Sequence, residues 1–148
     1  MPIGKSMKVS PELLQFLGSL VAILALAGTA RWLGVGGKPR LEDDAAVCRA
    51  AGEAAFGYEP VAVARDLEGR GAIMRDAGGR LLLLKLHGNR FAGRILTPAA
   101  RARIWRDLGK ASLEVDCGER RFGTVHLEIE QPEAWADAIN RLGSHGHA

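Results

Sequence analysis

Residues 13–33 read LLQFLGSLVAILALAGTARWL. From 13 to 30 there is no charge, and those 18 residues make roughly 27 Å of helix. That is close to the ~30 Å hydrocarbon core of a bilayer. Gln15, Ser19 and Thr29 are the polar interruptions, and uncharged side chains cost far less in lipid than Arg or Asp. The stretch therefore reads as one membrane-spanning helix over residues 11–33. Ser10 is its expected N-cap and Pro11 its first helical residue. At the far end Arg31 can snorkel and Trp32 suits the head-group layer.

Outward from this span lie a polar tail, 1–10, and a flexible exit, 34–40, GVGGKPR. A cleaved signal peptide is the first rival reading, with Lys5 and Lys8 as its basic region and Ala25-Leu26-Ala27 as a small-residue site. Glu12 and the length of the apolar run argue against it. A buried soluble helix is the second rival, and about 108 remaining residues are too few to cover such a helix on all sides. Three positive groups flank each end of the span, so the positive-inside rule leaves its orientation open.

Charge is divided unevenly. Of the 20 Lys and Arg in the chain, five precede Leu41, opposed there by Glu12 alone. From 41 onward fifteen Lys and Arg meet sixteen Asp and Glu, a net −1. The positive excess sits beside the span, where it meets anionic lipid. The domain has no basic stripe, which argues against nucleic acid as a partner.

Residues 41–143 are expected to form one small α+β domain with its own core, followed by a disordered tail, 144–148. A helix is expected over 41–56, capped by Asp43 or Asp44, with Cys48, Ala51 and Ala55 on one face. Beyond Tyr58, short apolar runs alternate with turn signals, the pattern of an antiparallel β domain. The expected strands are 60–65, 71–75, 80–87, 90–96, 103–105, 112–117 and 122–129. Asp76-Ala-Gly-Gly79 and His87-Gly-Asn89 read as tight hairpin turns. Leu81 to Leu84 is apolar on both sides, so its strand should be central. Residues 97–109 are ambiguous: Thr97, Pro98 and Gly109 also suit a short helix. A closing helix, 132–142, carries Trp135, Ile139 and Leu142 on one stripe and should end at Gly143. Six to seven strands and one aromatic-bearing helix resemble a pleckstrin-homology-type barrel, an architecture that serves many functions.

No catalytic set is legible. The chain has no CxxC, HExxH or nucleophile-elbow motif, and the glycines at 34–37 follow a helix rather than a strand. His87 and His126 are isolated, and His145 and His147 belong to a frayed tail. No cofactor or metal is expected. Cys48 and Cys117 either pair in an oxidising compartment or act as small buried apolar residues. Two segments stand out as interaction surface: Asn89, Arg90, Phe91 and Arg94 beside a turn, then Arg101, Arg103, Trp105 and Arg106. Arg and Trp are over-represented at protein interfaces.

Residues 27–36, AGTARWLGVG, are similar to the membrane exit of the alphaproteobacterial photosynthetic complex assembly proteins of the PuhC type. Residues 75–80, RDAGGR, resemble that family's Asp-Ala…Gly-Arg hairpin. Gly88-Asn89-Arg90-Phe91, then Arg94-Ile95-Leu96 and Ala100-Arg101-Ala102-Arg103, resemble its Gly-Asn-x-Phe turn and Arg-rich segment. Leu113 to Asp116 followed by Gly118 resembles its next strand and turn. The resemblance implies a non-catalytic accessory protein of the bacterial inner membrane, acting near the reaction centre and light-harvesting complex with its domain in the periplasm. Gly18, Ser19 and Gly28 would then permit close approach of neighbouring helices. The alternative is a membrane-tethered lipid- or protein-binding module of pleckstrin-homology type, serving an unrelated envelope function.

Overall fold

The structure is a computed structural model that describes residues 8–34 and 37–145. Most of the tail, with Lys5, two linker residues, and 146–148 with His147 lie outside the described residues. The chain forms two units, Met1–Lys38 and Pro39–Ala148.

The first unit is the helix α1, Pro11–Trp32. Ser10 caps it, its Oγ accepting from Leu13 N at 3.2 Å, and Pro11 occupies the first turn. Thr29 donates its hydroxyl to Ala25 O at 2.7 Å, so this polar group is satisfied within the helix. Leu33 is the C-cap, and Gly34 follows at φ 69°, a conformation that stops a helix and favours glycine. The helix is long and apolar enough to cross a membrane. None of its residues is buried.

Within the second unit the described elements are two helices and seven strands. Helix α2 is Asp44–Ala54, shorter than expected. Asp43 is the N-cap, accepting from Ala46 N at 2.7 Å. Its buried face is Val47, Ala50 and Ala51, so Cys48 points to solvent rather than inward. Leu41 lies outside the helix and is buried, its N–H donating to Gly69 O at 2.9 Å.

Strands β1 (Pro60–Arg65), β2 (Gly71–Asp76), β3 (Leu81–His87) and β4 (Arg90–Ile95) form a four-stranded antiparallel sheet in that order. Strands β5 (Arg101–Asp107), β6 (Lys110–Asp116) and β7 (Thr124–Leu127) form a three-stranded one. Helix α3, Pro132–Ser144, closes the chain. Seven antiparallel strands and a C-terminal helix match the expected small α+β domain.

Some expectations are resolved and others change. The open choice at 97–109 falls to a strand over 101–107, longer than the expected 103–105: Ala102 and Ile104 pack inward while Arg101, Arg103 and Trp105 face out, and every residue of β5 has a partner on β6. Gly109 ends no helix: it shares a two-residue turn with Leu108, both at positive φ. The last strand begins at Thr124, since Phe122 N–H closes a turn onto Glu119 O. Gly143 does not stop α3. It lies within the helix, where an added Cβ would stand 2.9 Å from Arg101 Nη1 and 3.2 Å from Pro98 O.

Two apolar cores explain the layering. One fills the space between the sheets and under α3, with Ile73, Leu83, Leu113, Val115, Leu127 and Ile139. The other lies between α2 and the opposite face of the four-stranded sheet, with Val47, Ala51, Ala72, Met74, Leu82 and Leu84. Strand β3 is thus covered on both faces, as its unbroken leucine run predicts. Gly93 allows this packing: a Cβ there would stand 2.5 Å from Ala54 Cβ.

Candidate functional site: the uncovered face of the three-stranded sheet

The inner face of the β5–β7 sheet packs Ala102, Ile104, Leu113, Val115, Val125 and Leu127 into the core. Alternation then forces the intervening residues outward. They form rows across the strands: Arg101, Asp116 and Thr124; Arg103, Glu114 and His126; Trp105 and Ser112. At the Arg101 end α3 comes close, a Cβ added at Gly143 standing 2.9 Å from Arg101 Nη1.

The middle row is held by charge. Arg103 Nε donates to Glu114 Oε1 at 2.5 Å, and His126 Nε2 lies 2.8 Å from Glu114 Oε2. Hydrogen bonding by Arg103 is the largest effect holding the Glu114 carboxyl below its usual range, and the same pair raises Arg103. The Arg103 guanidinium stands 5.7 Å from the centre of the Trp105 ring, within cation–π range. Trp105 remains 49% exposed. Trp and Arg are among the side chains most enriched at protein-binding hot spots.

Not every residue singled out in the sequence joins this face. Arg101 is exposed but bends back, its Nη1 donating to Pro98 O at 2.7 Å. Arg106 pairs with Glu133 of α3 at 3.3 Å. Asn89 and Arg90 sit exposed at the β3–β4 hairpin, where Gly88 at φ 64° makes the two-residue turn. Phe91 is half-buried in the core beneath α2, so its aromatic surface is used structurally. Arg94 donates to Glu119 Oε2 at 2.9 Å and stands 5.4 Å from the Phe122 ring centre. In α1, a Cβ added at Gly18 or Gly28 meets nothing within 4 Å, and Trp32 is 84% exposed.

Two further polar groups escaped the sequence reading. Tyr58 OH lies 2.8 Å from Arg80 O and 3.1 Å from Met74 O, and burial pushes its phenol up to about 12. Asp66 is buried and accepts from the backbone N–H groups of Glu68, Arg70 and Glu128. An Asp followed closely by Gly in a turn was the available signal for Asp66; its partner 62 residues away had none.

Both cysteines are free: Cys48 is exposed, and Cys117 is buried, its thiol pushed up to about 11 chiefly by burial. The small-apolar expectation therefore fits Cys117 and not Cys48. Among the described residues no group of three His, Cys, Asp or Glu could hold a metal ion.

No protein-family model, curated relative or solved structure matches this chain.

Proposed function

We propose that this protein is a non-catalytic accessory or assembly factor, held in the bacterial inner membrane by α1 and docking an integral membrane protein complex through the bare face of its three-stranded sheet. The observation that carries this reading is Trp105, half exposed beside the Arg103–Glu114–His126 row on the outward face of the three-stranded sheet. The resemblance to the PuhC-type proteins names the complex as the photosynthetic reaction centre with its light-harvesting partner, and the domain's compartment as the periplasm. Affinity isolation of the full-length chain from detergent-solubilised membranes tests it. The expected result is recovery of that complex, reduced at least about tenfold by Trp105→Ala or Arg103→Glu, as for a hot-spot pair. Recovery of no membrane complex overturns the reading; recovery of a different one leaves the docking role and removes the photosynthetic assignment.

The strand order favours one rival, a lipid-binding module of pleckstrin-homology type. It requires salt-sensitive binding of the domain to anionic vesicles. The domain's net charge of −1 opposes such attraction, and vesicle binding no stronger for anionic than for neutral lipid would remove this rival.

A further inference from the structure

A second surface lies away from Trp105. A groove of about 630 Å³ runs along the outer edge of β1, lined by residues 62–67 and faced by Asp44, Glu130, Gln131 and Trp135. Its origin is in the backbone. Asp66 N–H bonds Gly71 O, and bonded pairs alternate along an antiparallel ladder. In the β1–β2 register, Ala64 and Ala62 therefore bond toward β2, while the N–H and C=O of Val63 and Arg65 point away from it. The next residue on that outer edge, Leu67, is taken: its N–H donates to Glu128 O at 3.0 Å. Past Glu128 the chain turns off through Gln131, held at φ 52°, into α3. The edge thus begins to pair with the end of β7 and is then left open. Among the described residues no other backbone group bonds Val63 or Arg65 on that side.

An open edge that floors a groove selects an extended backbone. Its walls select side chains. Leu67, 77% exposed, and the half-buried Trp135 offer apolar contact. Asp44, Asp66 and Glu130 outnumber Arg65 in the lining; Asp44 pairs with Arg65 at 3.2 Å and Asp66 is taken up by backbone N–H groups, which leaves the Glu130 carboxylate to a ligand. The excess negative charge favours a cationic occupant.

We infer that this groove binds a basic, extended segment of the partner, as an added strand on β1 bonded to Val63 and Arg65. The inference rests on the docking role proposed above and supplies a second point of contact for the same partner.

The test uses the full-length chain in native membranes, with a photoreactive benzophenone side chain replacing Leu67, or replacing Phe56, which does not line the groove. The expected adduct at Leu67, absent at Phe56, maps to an extended Lys- or Arg-bearing segment of a membrane protein. Val63→Pro removes only an outward N–H, which an edge strand tolerates, and should cut adduct yield about tenfold, the equivalent of one hydrogen bond. Glu130→Lys, a surface change, should cut it similarly and decides the matter should Val63→Pro lose its native circular dichroism. An adduct to lipid, to a second copy of this chain, to an acidic segment or to a soluble protein overturns the inference. So does no adduct, or a yield unchanged by Glu130→Lys. Recovery of the membrane complex without the adduct defeats strand addition alone; failure to recover any complex defeats the docking role.

Discussion

The two sheets are built from the same kind of strand and treated oppositely by the rest of the chain. The four-stranded sheet is closed in, with α2 on one face and the second sheet on the other, and Ala72, Ile73, Met74 and Leu81 to Leu84 nearly inaccessible. The three-stranded sheet buries one face and leaves Arg103, Trp105 and His126 outside. The difference teaches where each sheet's side chains act. Burial on both faces stabilises the fold and leaves this sheet only its β1 edge to offer a partner. A bare face contributes little to stability and is available for recognition.

That contrast is most sharply tested at its extremes. Leu83→Ala removes a fully buried side chain between the sheets and should cost about 3 kcal/mol, within the usual range for such cavities, read by denaturant unfolding of the domain. Gly93→Ala should cost about 1–3 kcal/mol, because the added methyl overpacks the α2 interface; a normal melting temperature would show that α2 is not seated closely on β4.

Tyr58 joins α2 to the four-stranded sheet and is the one tyrosine in the chain, so tyrosinate absorbance reports it directly. Its folded pKa of about 12 lies above the ordinary value near 10. The folded state therefore holds its proton longer than the unfolded state. Stability from this group is intact below pH ~10 and declines as pH rises toward about 12. Ionisation of the folded protein near the ordinary value would contradict the burial of this hydroxyl.

On the bare sheet the effects shrink. Glu114 is held low mainly by Arg103, so its contribution is present above the unfolded carboxylate value near 4.3 and is lost as pH falls through the lower folded value. Arg103→Ala should make the acid transition begin at higher pH. Trp105→Ala should shift stability by no more than about 0.5 kcal/mol, the usual range for a surface site, while reducing partner recovery as stated above. A loss of several kcal/mol would mean that Trp105 packs against the fold.

Much of this was legible along the chain because it depends on near neighbours. The apolar run and Ser10-Pro11 specify α1, Asp43 caps α2, and the leucines of β3 signal two-sided burial. The alternation of Leu113 and Val115 with Glu114 and Asp116 assigns faces to β6 before any partner is known. Ambiguity arose where local signals conflict. Thr97, Pro98 and Gly109 carry helix-end chemistry, yet pairing with β6 across its full length outweighs them.

By itself, the sequence determined the membrane-length helix, the β-rich character of residues 60–127 and the inward or outward sense of most strands. Hydrophobic period and capping are local properties, set by covalent spacing. Only the tertiary structure decided that Phe91 is spent beneath α2 while Trp105 stays bare, that Asp66 ties the β1–β2 turn to Glu128, and that Val63 and Arg65 present an open edge. These depend on which strands meet and in what register. Such pairings are long-range, and each is selected by the burial of the whole domain rather than by the residues beside it.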